Sequence, residues 1–190
     1  MPLINIADPG LEPVTAAEVK DAGRIDGTEF DAQIAILIPA YRRQAEEWLG
    51  RRLITQTVEL VLDEFPESAI DLHMPGVQSI ESVKYIDTDG VEQTLAAANY
   101  SLDDSSTPNY VLPAYGTSWP DVLDSANVVR VRMVVGYGDA AADVPEEIRT
   151  WIKAHVIQTL DNPSGVTSDK VHATLPFLDG LLNAHKVWAC

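Results

Sequence analysis

The sequence predicts an α+β fold: a small helical bundle, made of N-terminal helices and a later long helix, with an inserted antiparallel β unit. Three observations predict it. Apolar residues recur at helical spacing between Phe30 and Leu49. They do so again between Ile148 and Leu160. The stretch between these runs is instead a series of short β-branched segments, punctuated by turn residues at hairpin spacing. All 190 residues read as one domain, with helical parts at about 15–50 and 144–161, a β unit at about 53–136 and a C-terminal extension at 162–190.

A short helix is expected to start after Thr15. Thr15 with Glu18 three residues on forms a capping box, and Gly23 with the Asp26-Gly27-Thr28 turn ends the helix. A longer helix is expected from near Glu29. Phe30, Ile34, Leu37, Ile38, Tyr41, Ala45, Trp48 and Leu49 share one face of it, and Asp31, Gln33, Arg42, Arg43, Glu46 and Glu47 lie mostly on the other. Gly50 is the expected stop. Pro39 inside the pattern should kink the helix or split it in two.

Leu53–Leu62 then reads as a strand, followed by a short strand at Ile70–Leu72 closed by Pro75-Gly76. Ser79–Ile86 and Val91–Leu95 are expected to pair through the Asp89-Gly90 turn. Asn99–Asp103 and Asn109–Leu112 are two further short strands. Val128–Val135, where Arg130 and Arg132 alternate with valines, has the pattern of a half-buried strand. Helix resumes after Asp143-Val144-Pro145, an acidic start with an early proline. Ile148, Trp151, Ile152, His155, Val156 and Leu160 lie on its apolar face, and Asn162-Pro163-Ser164-Gly165 ends it. A loop through Lys170 and a short helix from Pro176 to Trp188 complete the reading.

Thirteen basic and twenty-nine acidic residues leave a net charge of −16. Residues 53–127 alone hold thirteen acids and one base, Lys84. Gripping a duplex through its phosphates needs the opposite balance, so nucleic-acid binding is not expected as the main task. The single cysteine, Cys190, excludes an internal disulfide framework and multi-cysteine zinc sites, and fits a reducing compartment. The opening Met1–Asp8 lacks the basic and apolar regions of a secretory signal, and no run approaches the ~18 apolar residues of a membrane span. A soluble acidic protein is expected.

The search for chemistry finds no catalytic set. His73, His155, His172 and His185 are scattered and form no HExxH pattern. His155, on an apolar helix face, reads as a core or interface residue. Asp87–Glu92 superficially resembles a calcium loop but lacks its distal glutamate, and a hairpin turn explains it better. Gly136-Tyr137-Gly138 completes neither a phosphate loop nor GxGxxG, and no GxSxG nucleophile elbow is present. Cys190 has no scaffold for a nucleophile, and the Asp103-Asp104 pair is no more than a chain this acidic produces by chance. No enzyme activity, metal or cofactor is expected.

Three stretches stand in a telling order: Pro13–Lys20, then Glu47–Leu60 with its Gly50-Arg51-Arg52-Leu53-Ile54-Thr55-Gln56-Thr57 core, then Val134-Val135-Gly136-Tyr137-Gly138 running into Val144-Pro145-Glu146. Ser82–Gly90 and Ser118-Trp119-Pro120 fit the same pattern. Together, over roughly residues 13–160, they resemble the head–tail connector (adaptor) proteins of tailed bacteriophages and prophages. The resemblance implies a structural protein of the virion neck, made and assembled in the bacterial host cytoplasm. It implies a ring of identical subunits under the portal protein, which extends the DNA channel and docks the next neck or tail component. No catalytic residue is implied.

Within that reading, Arg42, Arg43, Arg51 and Arg52, the densest cationic cluster, are the candidate subunit-interface residues. They would meet the acidic middle segment of a neighbour, or else pair locally with Glu46 and Glu47. DNA should pass without tight binding, with some of Asp63, Glu64, Glu67, Asp71, Asp87, Asp89, Glu92, Asp103 and Asp104 lining the channel. Two other classes of function fit the residues. One is a small-ligand or carbohydrate-binding β module stacking sugars on Tyr100, Tyr110, Tyr115 and Trp119; the other is an acidic DNA mimic.

Overall fold

A computed structural model describes residues 3–162 and 176–187. It is an α+β protein whose chain divides into two compact units: a β unit of residues 1–10 and 55–137, and a helical unit of residues 11–54 and 138–190. His172 and Cys190, with the loop expected through Lys170, lie outside the described residues.

In the helical unit, α1 (Ala16–Gly23) starts on the expected capping box. Glu18 N–H donates to Thr15 Oγ1 at 3.2 Å, and the Thr15 N–H donates back to Glu18 Oε2 at 2.7 Å. The long helix, α2, spans Asp31–Leu49. It ends on Gly50, whose φ of +67° is left-handed backbone that a side chain would strain. Pro39 does not split it. The carbonyl that loses its helical donor belongs to Ala35, which is exposed, so water can take the donor's place. Phe30, expected on the apolar face, precedes the helix and is exposed.

A 3₁₀ turn, Ala141–Asp143, leads to Pro145 and then α3 (Glu146–Asp161). A last helix, α4, covers Pro176–Asn183 and stops short of the expected end at Trp188. The apolar faces of α2 and α3 meet. Ile34, Ile38, Ala45 and Leu49 are buried on the first, and Ile148, Trp151, Ile152 and Val156 on the second. The Trp151 ring takes Tyr41 and Trp48 edge-on, at centroid distances of 6.1 and 6.4 Å.

The β unit holds two antiparallel sheets. The larger combines β1 (Leu3–Ala7), β2 (Gln56–Leu62), β4 (Val77–Ile86), β5 (Glu92–Leu95) and β8 (Val129–Val135) in the order β1-β2-β8-β4-β5. The smaller is β3 (Ile70–Asp71), β7 (Tyr110–Pro113) and β6 (Tyr100–Asp103), in that order. The alternation read from the sequence sets the register. Val58, Leu60 and Leu62 pair with Met133, Val131 and Val129, and all six side chains enter the core with Val83, Ile70 and Val111.

Two strand expectations change. The first sheet begins with Leu3–Ala7, which carries no strand signal beyond two isoleucines, so the β unit is not confined to the inserted segment. The strand expected from Leu53 begins at Gln56. Leu53 and Ile54 are instead buried in the helical unit, where Ile54 bridges to Gly138. The Asp-Gly hairpin forms as expected. Asp87 Oδ1 accepts the N–H groups of Asp89 and Val91 at 3.0 and 2.9 Å, and Gly90 takes φ +82°.

Candidate assembly surface

The four candidate arginines cluster around the C-terminal half of α2, but they do not share one environment. Arg42 is 2% exposed. Its Nε donates to Glu12 Oε2 at 2.8 Å and its Nη1 to Glu46 Oε2 at 3.0 Å. Glu46 is equally buried, and it also accepts the Leu53 N–H at 3.0 Å and Arg52 Nη1 at 3.4 Å. The Glu46 carboxylate thus joins the end of α2 to the Arg52-Leu53 segment that follows it. A buried charge needs this degree of pairing, because desolvation costs several kcal/mol per ion. Arg43, one residue round the helix, is exposed, while Arg51 and Arg52 are half-buried.

The periodic pattern placed Arg42 and Glu46 on the outward face with Arg43 and Glu47. An i, i+4 Arg/Glu pair has the same sequence signature whether solvated or enclosed. The missing signal was Glu12, thirty residues upstream, which only the fold brings to Arg42. Trp48 is the converse case. Its spacing predicts a core residue, yet it is 37% exposed.

The remaining candidates are absorbed by packing or lie apart. His155 is half-buried; its Nδ1 lies 2.9 Å from the Trp151 carbonyl, and its ring lies against Trp151 and Tyr41. Trp119 stacks on Phe65 at 5.0 Å and donates Nε1–H to the Ser68 carbonyl at 2.9 Å. Burial pushes the Tyr100 hydroxyl pKa up, in keeping with its packing against the β core. Tyr115 alone of the four candidate stacking aromatics is fully exposed, at the tip of the turn after β7. The candidate channel acids, Asp63 to Asp104, are all exposed or half-exposed. Asp87 and Asp103 are held below the usual carboxylate range. Asp87 is held chiefly by the Val91 N–H, and Asp103 by the Ser105 hydroxyl. Among the described residues no group of His, Cys, Asp and Glu could hold a metal ion, and no helix is long and apolar enough to cross a membrane.

No protein-family model matches the sequence, and no curated protein does. Solved structures do match its fold. A chain from the neck of an empty gene transfer agent (GTA) particle, computed with C6 symmetry, superposes with a TM-score of 0.82 at 18% identity, covering 100% of this chain and 97% of that one. A chain from the virion of a native GTA particle matches at 0.81, and one from the neck of a native GTA particle, computed with C12 symmetry, at 0.78. Both have the same identity and coverage. The described residues of the chain therefore have, in both units, the fold of chains found in the necks of GTA particles.

Proposed function

We propose that the protein is a structural component of the neck of a phage-like particle: a head–tail connector that forms a closed ring under the portal, extends the DNA channel and docks the next neck or tail component. One observation carries this reading. The shared fold covers 100% of this chain and 97% of the matched one, helical and β units alike, with a particle neck as its setting. The matched neck chains come from particle reconstructions computed with C6 and with C12 symmetry, and a ring of twelve copies, compatible with both symmetries, is the number carried over to this protein. Cyclic closure makes each contact heterologous, with two different surfaces of one subunit meeting across the joint.

The two units act as parts of one connector domain. The candidate arginines divide in this reading. Arg42 stays inside the subunit, and Arg43, on the exposed side of α2, is the one offered to a neighbour. Part of the acidic surface of the β unit faces the channel, where carboxylates repel the phosphate backbone over a range of about 10 Å at 0.1 M salt. The test is the mass of the concentrated full chain by native mass spectrometry. The reading expects a species of twelve 20.7 kDa subunits. A discrete monomer or dimer at every concentration, with no binding to a portal ring, would overturn it.

A further inference from the structure

The β unit holds fourteen acidic and three basic residues, and all three bases lie together on one face of its larger sheet. Arg130 and Arg132 alternate with the core valines of β8, so both point away from the core. Lys84 on β4 stands directly opposite Arg130 in the register. Like charges facing each other across a ladder destabilise it, so this pair breaks a local rule. The available carboxylates do not fully offset it. Glu59 accepts Arg132 Nε and Nη2 at 3.2 and 3.0 Å, and Arg130 Nη1 stays 3.9 Å from its other oxygen. Glu92 pairs with Lys84 at 3.0 Å. Three cations thus share two carboxylates, and Arg130 is the least engaged and the most exposed, at 52% of its side chain.

The same unit carries an acidic segment with the opposite deficit. Between β7 and β8 run fifteen residues, Ala114–Val128, with no helix or strand. Loops of this length inside a compact domain are uncommon, and are usually either functional or disordered linkers. This one is tied down. Trp119 is stacked on Phe65, the Leu123 N–H donates to the Ile86 carbonyl at 3.0 Å, and the Asn127 N–H donates to Asp63 Oδ1 at 2.8 Å. Val122 and Leu123 pack on the core while Asp121 and Asp124 stay exposed. A fixed loop presenting carboxylates loses little entropy on docking.

We infer that, in the ring, the Asp121–Asp124 loop of one subunit docks on the Lys84–Arg130–Arg132 face of the next. This rests on the connector reading above. Charge complementarity selects a second copy as the occupant. Subunits of net charge −16 repel one another, and closing a ring of them needs a joint where cation meets anion. The two surfaces differ, as a heterologous joint requires.

The test is a charge swap in the full chain, read as the concentration at which rings form and checked for folding by thermal unfolding. Arg130→Glu faces Lys84 and should fold normally. It is expected to raise the midpoint of ring assembly by about tenfold or more, the scale of a close interfacial charge pair. D121K with D124K is expected to do the same. Combining R130E with D121K and D124K in one chain should recover most of the loss. Wild-type assembly should weaken as salt rises. Unchanged assembly of folded R130E, or no recovery in the combined variant, overturns the contact while leaving the ring intact. Normal assembly of R130E with a weakened affinity for duplex DNA overturns it in favour of a channel-facing patch. Failure of the wild-type chain to form any ring, alone or on a portal ring, overturns the connector reading and this contact with it.

Discussion

Trp151 and Trp48 touch each other, yet a substitution at each should read very differently. Trp151 is fully enclosed between Tyr41, Trp48 and His155, so Trp151→Ala is expected to cost about 3–5 kcal/mol in urea unfolding. Trp48 keeps 37% of its surface in solvent, and Trp48→Ala should cost clearly less. Equal losses would mean that Trp48 is covered in solution. The Arg42–Glu46 pair has a similar asymmetry. Glu46→Ala leaves the Arg42 guanidinium buried with Glu12 as its remaining partner, and is expected to destabilise by about 3–5 kcal/mol. A reversal at Arg42 would therefore report on folding, whereas Arg43→Glu can report on assembly. A loss below about 1 kcal/mol for Glu46→Ala would show the network to be solvated. These roles were not legible in the sequence, because a helical pattern assigns charges to the outside. Only the distant Glu12 and the Leu53 amide reveal that Arg42 and Glu46 are inside.

Elements with a local signature were readable; those defined by a distant partner were not. The Thr15–Glu18 box, the Gly50 stop and the Asp87–Gly90 hairpin each consist of contacts within a few residues, and each forms where expected. The strand at Leu3–Ala7 exists because β2 offers it an edge, and nothing local distinguishes it from a tail. The start of α1 gives a pH-dependent test. The Thr15 backbone N–H, followed by its hydroxyl and Arg149, holds the Glu18 carboxyl below its ordinary value of 4.5. A folded pKa below the unfolded one means that the stabilisation is present above about pH 4.5 and is lost as pH falls below it. Amide protection factors in α1, corrected for the intrinsic pH dependence of exchange, should fall on acidification through that range, and Glu18→Gln should flatten the response. Thr15→Ala should cost about 1 kcal/mol at neutral pH. A Glu18→Gln profile identical to wild type would show that the box does not contribute in solution.

At the scale of the whole molecule, the sequence carried the fold class, because the periodicity of its apolar residues is a property of the chain. What was not visible is that residues 1–10 join the β unit from the far end of the sequence. The proposed conduit also predicts how the protein treats DNA. With a net charge of −16, the isolated chain should fail to retain duplex DNA even at low salt, where phosphate contacts are strongest. Sub-micromolar binding in an electrophoretic shift assay would contradict a channel that lets its cargo pass. The most direct measurement of the central claim is cryo-electron microscopy of the assembled full chain. The account predicts closed rings of twelve subunits around an open axis. Open filaments, or compact particles with no axial opening, would contradict it.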